Sequence, residues 1–387
     1  MRGLKHAPFL LMESCPSATN WQKVSKLKRP GILRAQGLQA VAHGADSVLY
    51  FQIRQSQGGA EKFHGAVINH YGKTDTRVFC EVQEIGNMME KLAQVKGAVT
   101  NAKVAVVYDI ENRWALEQSL GPRNSGMPYK EMVLKTYKAL RKLGLDVEVI
   151  TQKEPLDSYK LVAAPMLYLM QKNYAEKLRE FVKSGGQLFT TVWSGVVDEN
   201  DRCFLGGTPH NLLDVLGLRE EEVDALYEEE SNMLSFCEKE TFAQHIKSAA
   251  LQDKFICDKL CGLPVVTTAT PLLAYEQDFY AGKPAATVNC CGKGKAWYLA
   301  TNAEQACFDI LLKQAVAQTD ILLPIKDLPL NVCVNQRETP KYRYLFLQNW
   351  GEEKTFVTLP EGDIIYSDAE NNGALPKGGG VVLRISR

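Results

Sequence analysis

Long apolar runs are missing from this sequence: no window comes near the roughly 18 residues that a membrane-spanning helix requires. A helical membrane anchor is therefore not expected, and the few apolar residues behind Arg2 and Lys5 are too brief for an export signal. A net charge is missing too, since 45 Lys and Arg balance 45 Asp and Glu. No field of one sign draws the chain toward nucleic acid or anionic lipid, and near-neutral charge leaves self-association unopposed. A disulfide framework is likewise absent, because ten cysteines scattered through 387 residues fit a reducing cytoplasm better than a stapled secreted domain. Cys257-x-x-x-Cys261 and Cys290-Cys291 have poor zinc spacing and no neighbouring histidine. They read as small buried hydrophobes, and no metal or cofactor is expected.

What is present is enough chain for two or three domains, each with its own core. In residues 1–97 the apolar run Phe9-Leu10-Leu11-Met12 stops on Glu13, and a helix is expected over 32–43 from the spacing of Leu33, Leu38 and Val41. A second strand over 47–51, ending at Phe51, leads through a long polar, Gly-rich loop to a helix over 77–92. Long loops after strands are the arrangement of a (β/α)8 barrel, whose active site lies on that face. A carboxylate at a strand's carboxyl end makes Glu13 the first residue to suspect of catalysis.

Over residues 98–322 strands at 103–108, 147–150, 161–165 and 187–192 alternate with helices at 129–143 and 174–183, which predicts an open, doubly wound parallel sheet. The acidic stretch 220–230 reads as a solvated rim. From residue 323 helices vanish, and strands at 342–348, 355–359 and 381–385, separated by Gly-rich and Asn-rich turns, predict a small all-β sandwich.

The string Phe9 to Trp21 (FLLMESCPSATNW), the turn Lys28-Arg29-Pro30-Gly31, the segment Ala42-His43-Gly44-Ala45-Asp46-Ser47 and the segment Glu61-Lys62-Phe63-His64-Gly65 together resemble the end of the catalytic domain of family 42 glycoside hydrolases. These are bacterial β-galactosidases built from a barrel, a trimerisation domain of flavodoxin-like or class I amidotransferase-like fold, and a small C-terminal β domain. The resemblance implies a partial barrel holding only the last two βα units, with Glu13 as nucleophile and Trp21, Glu61, His64 and Phe51 around the galactose. It also implies a cytoplasmic homotrimer without nucleic-acid or membrane partners.

The chemistry is consistent with those roles. Retaining glycosidases use one carboxylate to attack the anomeric carbon and a second carboxyl, roughly 5 Å away, to protonate the leaving oxygen. A tryptophan offers a flat apolar face to the sugar, while a carboxylate and an imidazole can bond its hydroxyls. The family's acid/base glutamate follows an asparagine well upstream of the nucleophile, and no such pair precedes Glu13. The expectation is a chain that carries half of the catalytic pair for retaining hydrolysis of terminal β-D-galactosides and is inactive alone. The rival reading is a non-enzymatic oligomerisation or carbohydrate-binding module descended from such an enzyme. Amidotransfer is rejected because Thr190-Thr191-Val192-Trp193-Ser194-Gly195 has no cysteine where that chemistry needs one.

Overall fold

The computed structural model describes residues 1–369 and 373–387. They form two compact units, one made of residues 1–101, 144–146 and 323–387, the other of 102–143 and 147–322. Among the described residues no helix is long and apolar enough to cross a membrane.

The first unit begins with β1 (Phe9–Leu11), α1 (Ile32–Ala42), β2 (Ala45–Val48) and α2 (Arg77–Lys91). The strands β1 and β2 pair in parallel, with Leu10 opposite Ser47 and Leu11 opposite Val48, as a two-stranded sheet. Helix α2 starts where the Thr76 hydroxyl accepts from the Phe79 amide at 3.4 Å, satisfying one of the donors a helix start leaves free.

The second unit opens with β3 (Val104–Val107), α3 (Ile110–Gln118), α4 (Tyr129–Lys142), β4 (Val147–Ile150), β5 (Leu161–Ala164), α5 (Tyr174–Lys183) and β6 (Gln187–Thr191). These four strands are parallel, in the order β6-β5-β3-β4. Each of β3, β5 and β6 is buried along its whole length, as a sheet covered on both faces requires. Helix α5 buries Tyr174, Ala175, Leu178, Phe181 and Val182, the stripe that 3.6 residues per turn produces.

Beyond β6 the expected all-parallel sheet gives way to a mixed one. After α6 (Leu213–Leu216) come β7 (Leu218–Ala225), β8 (Asn232–Phe236), α7 (Thr241–Ser248), β9 (Lys254–Val266), β10 (Thr270–Tyr275), β11 (Pro284–Cys291), β12 (Gly294–Leu299), β13 (Thr301–Ala303) and α8 (Gln305–Ala317). Strand β12 joins β6 in parallel, and the other strands extend the sheet antiparallel to eleven in all. Side chains alternate across it: Leu188 faces the core shared with α5 and α6, while its neighbour Phe189 meets Phe308 of α8.

The acidic stretch is not a solvated rim throughout. Strand β7 pairs with β9, and Glu220 is buried within it, its carboxylate accepting from the Tyr298 hydroxyl at 2.7 Å. Burial outweighs the hydrogen bonds to the charged form and pushes this carboxyl up to about 7. All ten cysteines are free thiols; Cys257 and Cys261 are buried, whereas Cys290 is exposed, against the reading of that pair as core.

The remainder of the first unit consists of β14 (Val332–Glu338), β15 (Tyr342–Asn349), β16 (Thr355–Phe356), β17 (Asp363–Ser367), β18 (Ala374–Leu375) and β19 (Gly380–Ser386). An antiparallel sheet β14-β15-β19-β17 stands beside the short ladder β16-β18. The Asn-rich turn expected before the last strands falls on residues 370–372, outside the described residues.

The two faces of this four-stranded sheet serve two cores. Leu345, Leu347, Val381 and Leu383 point toward Leu375, Val357 and Leu359. Tyr344, Phe346, Tyr366 and Val382 pack instead on Leu33, Leu38, Val41, Ile85 and Met88 of α1 and α2. The approach is close: a Cβ on Gly380 would lie 2.4 Å from Leu38 Cδ2.

Arg337 of β14 is completely buried between these segments. Its five N–H groups donate to the carbonyls of Val41 (3.1 Å), Ala45 (2.9 Å) and Ala98 (3.1 and 2.8 Å) and to the Asp46 carboxylate (2.6 Å). Burial lowers the guanidinium's pKa while the Asp46 contact opposes that shift. The small β module from residue 323 onward thus shares a core with the first hundred residues.

Candidate active site

Strands β1 and β2 run in the same direction, so the chain leaves both at one end of the sheet. Glu13 follows β1 by two residues and Phe51 follows β2 by three. The Phe51 amide donates to the Ser14 carbonyl at 3.1 Å, which ties the starts of the two loops together.

Further along, the loops are joined again. Gly65 N donates to Ala18 O at 2.7 Å, and a Cβ on Gly65 would fall 2.6 Å from Ala18 N, so only glycine allows this approach. Asn20 reaches across with both ends of its amide: Nδ2 donates to Ala60 O at 2.8 Å, and Oδ1 lies 3.0 Å from His64 Nδ1. Lys28 Nζ binds the carbonyls of Cys15 and Ser17 at 2.6 and 3.3 Å, which holds the first loop from behind.

His64 is the buried member of the predicted set, at 4% exposure. Its ring meets Phe51 edge to face, with centroids 5.4 Å apart. Its own amide donates to Glu61 O at 2.8 Å, and its carbonyl accepts from Gln55 Nε2 at 3.0 Å. Trp21 is 70% exposed, and Glu13 and Glu61 are exposed on the same two loops. Among the described residues the side chains of Glu13, Trp21 and Glu61 make no hydrogen bond, ion pair or ring contact. The structure thus brings Phe51 and His64 into contact, and leaves two carboxylates and an indole exposed on the same two loops.

Asn20, Gln55, Gly65 and Lys28 were not singled out for a role from sequence. Partners such as Ala18 for Gly65 and His64 for Asn20 lie more than 40 residues away in the chain and leave no local signature. At the other position weighed, the turn after β6 places Ser194 in a buried stitch, accepting from Leu167 N at 3.0 Å and donating to Thr191 O at 2.7 Å.

Residues 1–92 match the family described as Beta-galactosidase, and residues 102–322 match the Beta-galactosidase trimerisation domain. The chain belongs to glycoside hydrolase family 42. The Beta-galactosidase BglY of Alicyclobacillus acidocaldarius is 44% identical over 377 residues, covering 97% of this chain and 54% of the relative. Beta-galactosidase Pbg of Clostridium perfringens is 41% identical, covering 93% of this chain and 52% of that protein. The crystal structure of a β-galactosidase from Rahnella sp. R3 superposes with a TM-score of 0.93 at 41% identity, over all of this chain and 56% of its own. This family 42 chain therefore spans about half the length of the relatives it matches, and its mixed α/β fold is theirs.

Proposed function

We propose that this chain supplies the nucleophile and much of the sugar subsite of a retaining β-galactosidase. The observation that carries the reading is the stitching of the loops after β1 and β2, the two loops on which Glu13, Trp21, Phe51, Glu61 and His64 lie and which leave the carboxyl ends of two adjacent parallel strands. That is the end on which barrel enzymes place their chemistry, and β1-α1-β2-α2 is read here as the last quarter of such a barrel.

The Glu13 carboxylate attacks the anomeric carbon as the bond to the leaving oxygen breaks, and a second carboxyl gives its proton to that oxygen. The resulting galactosyl ester on Glu13 is cleaved by water, whose proton returns to the second group. That proton donor comes from the part of the family's length that these 387 residues do not span. Trp21 faces the apolar side of the sugar, Phe51 backs the His64 ring, and Glu61 and His64 bond sugar hydroxyls. Self-association as a trimer through the second unit belongs to the same reading, and light scattering is expected to give three times the 43.1 kDa chain mass. A monomer at micromolar concentration counts against it.

The test supplies the missing part from the Rahnella relative, fused or co-expressed, and assays an activated aryl β-galactoside. The assembled enzyme is expected to turn over, and Glu13→Ala to abolish turnover. Azide should then restore release of the aryl group and yield the α-galactosyl azide, because the anion enters from the face Glu13 occupied. Near-normal rates in the variant, or a β-azide product, would remove Glu13 from the nucleophile's role.

A further inference from the structure

The Asn20 amide fixes more than the position of a loop. A carbonyl oxygen only accepts, so the amide atom 2.8 Å from Ala60 O must be the nitrogen. The other end of the same amide, 3.0 Å from His64 Nδ1, is then the oxygen, which also only accepts. A hydrogen bond between them requires the proton to sit on Nδ1. Phe51 packs on the imidazole, and the His64 main chain is held on both sides by Glu61 and Gln55, so the ring keeps Nδ1 toward Asn20. Nε2 has no hydrogen-bond partner among the described residues and is not among the polar atoms sealed from solvent.

We propose that Asn20 is a positioning residue that holds neutral His64 in its Nδ1–H form, so that Nε2 offers a lone pair and the subsite accepts a hydrogen bond from a sugar hydroxyl instead of donating one. Only the hydroxyl-reading half rests on the β-galactosidase assignment; the tautomer follows from the geometry within the first unit. The consequence is a polarity of recognition. A hydroxyl that meets His64 must donate there, and a group that can only accept is rejected because it sets two lone pairs against each other.

The tautomer is read on the 387-residue chain itself, labelled with ¹⁵N-histidine and studied by long-range ¹H–¹⁵N correlation at a pH where its imidazoles are neutral. His64 is identified among the six histidines as the signal lost in His64→Gln. The expected pattern is a protonated, pyrrole-type Nδ1 and a bare, pyridine-type Nε2. In Asn20→Ala the two nitrogens should shift toward averaged positions or exchange character, because an imidazole in water prefers Nε2–H. A protonated or averaged Nε2 in the unsubstituted chain overturns the proposal, and that spectrum decides alone if Asn20→Ala does not fold.

In the assembled enzyme, galactosides with each hydroxyl replaced in turn by hydrogen or fluorine test the second half. At the hydroxyl that His64 reads, the fluoro and deoxy sugars should lose affinity equally, since fluorine cannot donate. Retention by the fluoro sugar alone overturns acceptance by Nε2. If no position depends on His64, the hydroxyl-reading half falls together with the residue's place in the subsite, while the NMR result still stands or falls by itself.

Discussion

Leu161 and Leu10 are both leucines in short parallel strands, yet Leu161 is 0% exposed and Leu10 is 53% exposed. The difference lies in what surrounds the strands. The sheet holding Leu161 has neighbours on both sides and helices over it, all drawn from one stretch of sequence. The sheet holding Leu10 has two strands, each with one edge unpaired among the described residues, and α1 packs on β2. Exposed Met12, Trp21, Ile53 and Phe63 lie on or beside the loops that follow it. Parallel strands are stable when buried on both faces, so the second sheet shows what complete covering looks like and the first shows where it stops. The candidate active site stands at that margin, on the loops that follow β1 and β2.

The comparison is broken most severely by a matched pair of substitutions. Leu161→Lys places an unpaired charge in a dry sheet and should destabilise the second unit by more than about 4 kcal/mol, whereas Leu10→Lys should change stability by less than about 0.5 kcal/mol. Urea unfolding of both variants checks this; similar losses for the two would mean that the first sheet is as closed as the second.

Next in size is the clamp at Arg337. Arg337→Ala removes the guanidinium from the half-buried Asp46 carboxylate, which keeps the Gly97 amide at 2.9 Å, and from three carbonyls, and with the cavity it leaves the loss should be roughly 3 kcal/mol or more. Hydrogen exchange should speed up in α1 and β14 while the amides of β5 keep their protection. Equal acceleration of β5 would show that the clamp does not act on the first unit alone.

The smallest effect depends on pH and belongs to the second unit. Glu220 titrates near 7 when folded against 4.5 ordinarily, so between those values the folded state holds the extra proton. Its stabilising effect is therefore full below about pH 4.5, declines as pH rises and is spent above about pH 7. The span is on the order of 3 kcal/mol. In Glu220→Gln, melting curves of the second unit should lose this slope and show at least the parent's stability at pH 8. A slope unchanged by the substitution would assign it to other groups.

How much of this was legible beforehand varies with how local the cause is. Strand β4 and helix α5 were located to the residue, because an apolar run bounded by polar turns and a 3.6-residue stripe are written in adjacent positions. Strands β8 to β13 were not anticipated; they alternate weakly, carry Lys, Cys and Gly, and owe their pairing to partners far along the chain. Glu220 was hidden by the acids around it, since its burial depends on Tyr298, 78 residues later. At the candidate site, Glu13, Trp21, Glu61 and His64 were proposed from a string resemblance and Phe51 as the end of the second expected strand. The amide that orders them was not, because Asn20 looks like any loop asparagine until His64 is placed beside it.

The first unit also has a temporal side, since its core takes Leu38 from one end of the sequence and Val382 from the other. During translation the apolar faces of α1 and α2 leave the ribosome before their β15 and β19 partners and wait, uncovered, while residues 102–322 are made. The second unit, nearly continuous in sequence, has all its strands in hand before β19 exists. Domains usually close in the order of their synthesis. Here the second unit can close before the first, and the segment bearing the candidate nucleophile waits for residues 323–387 to be made.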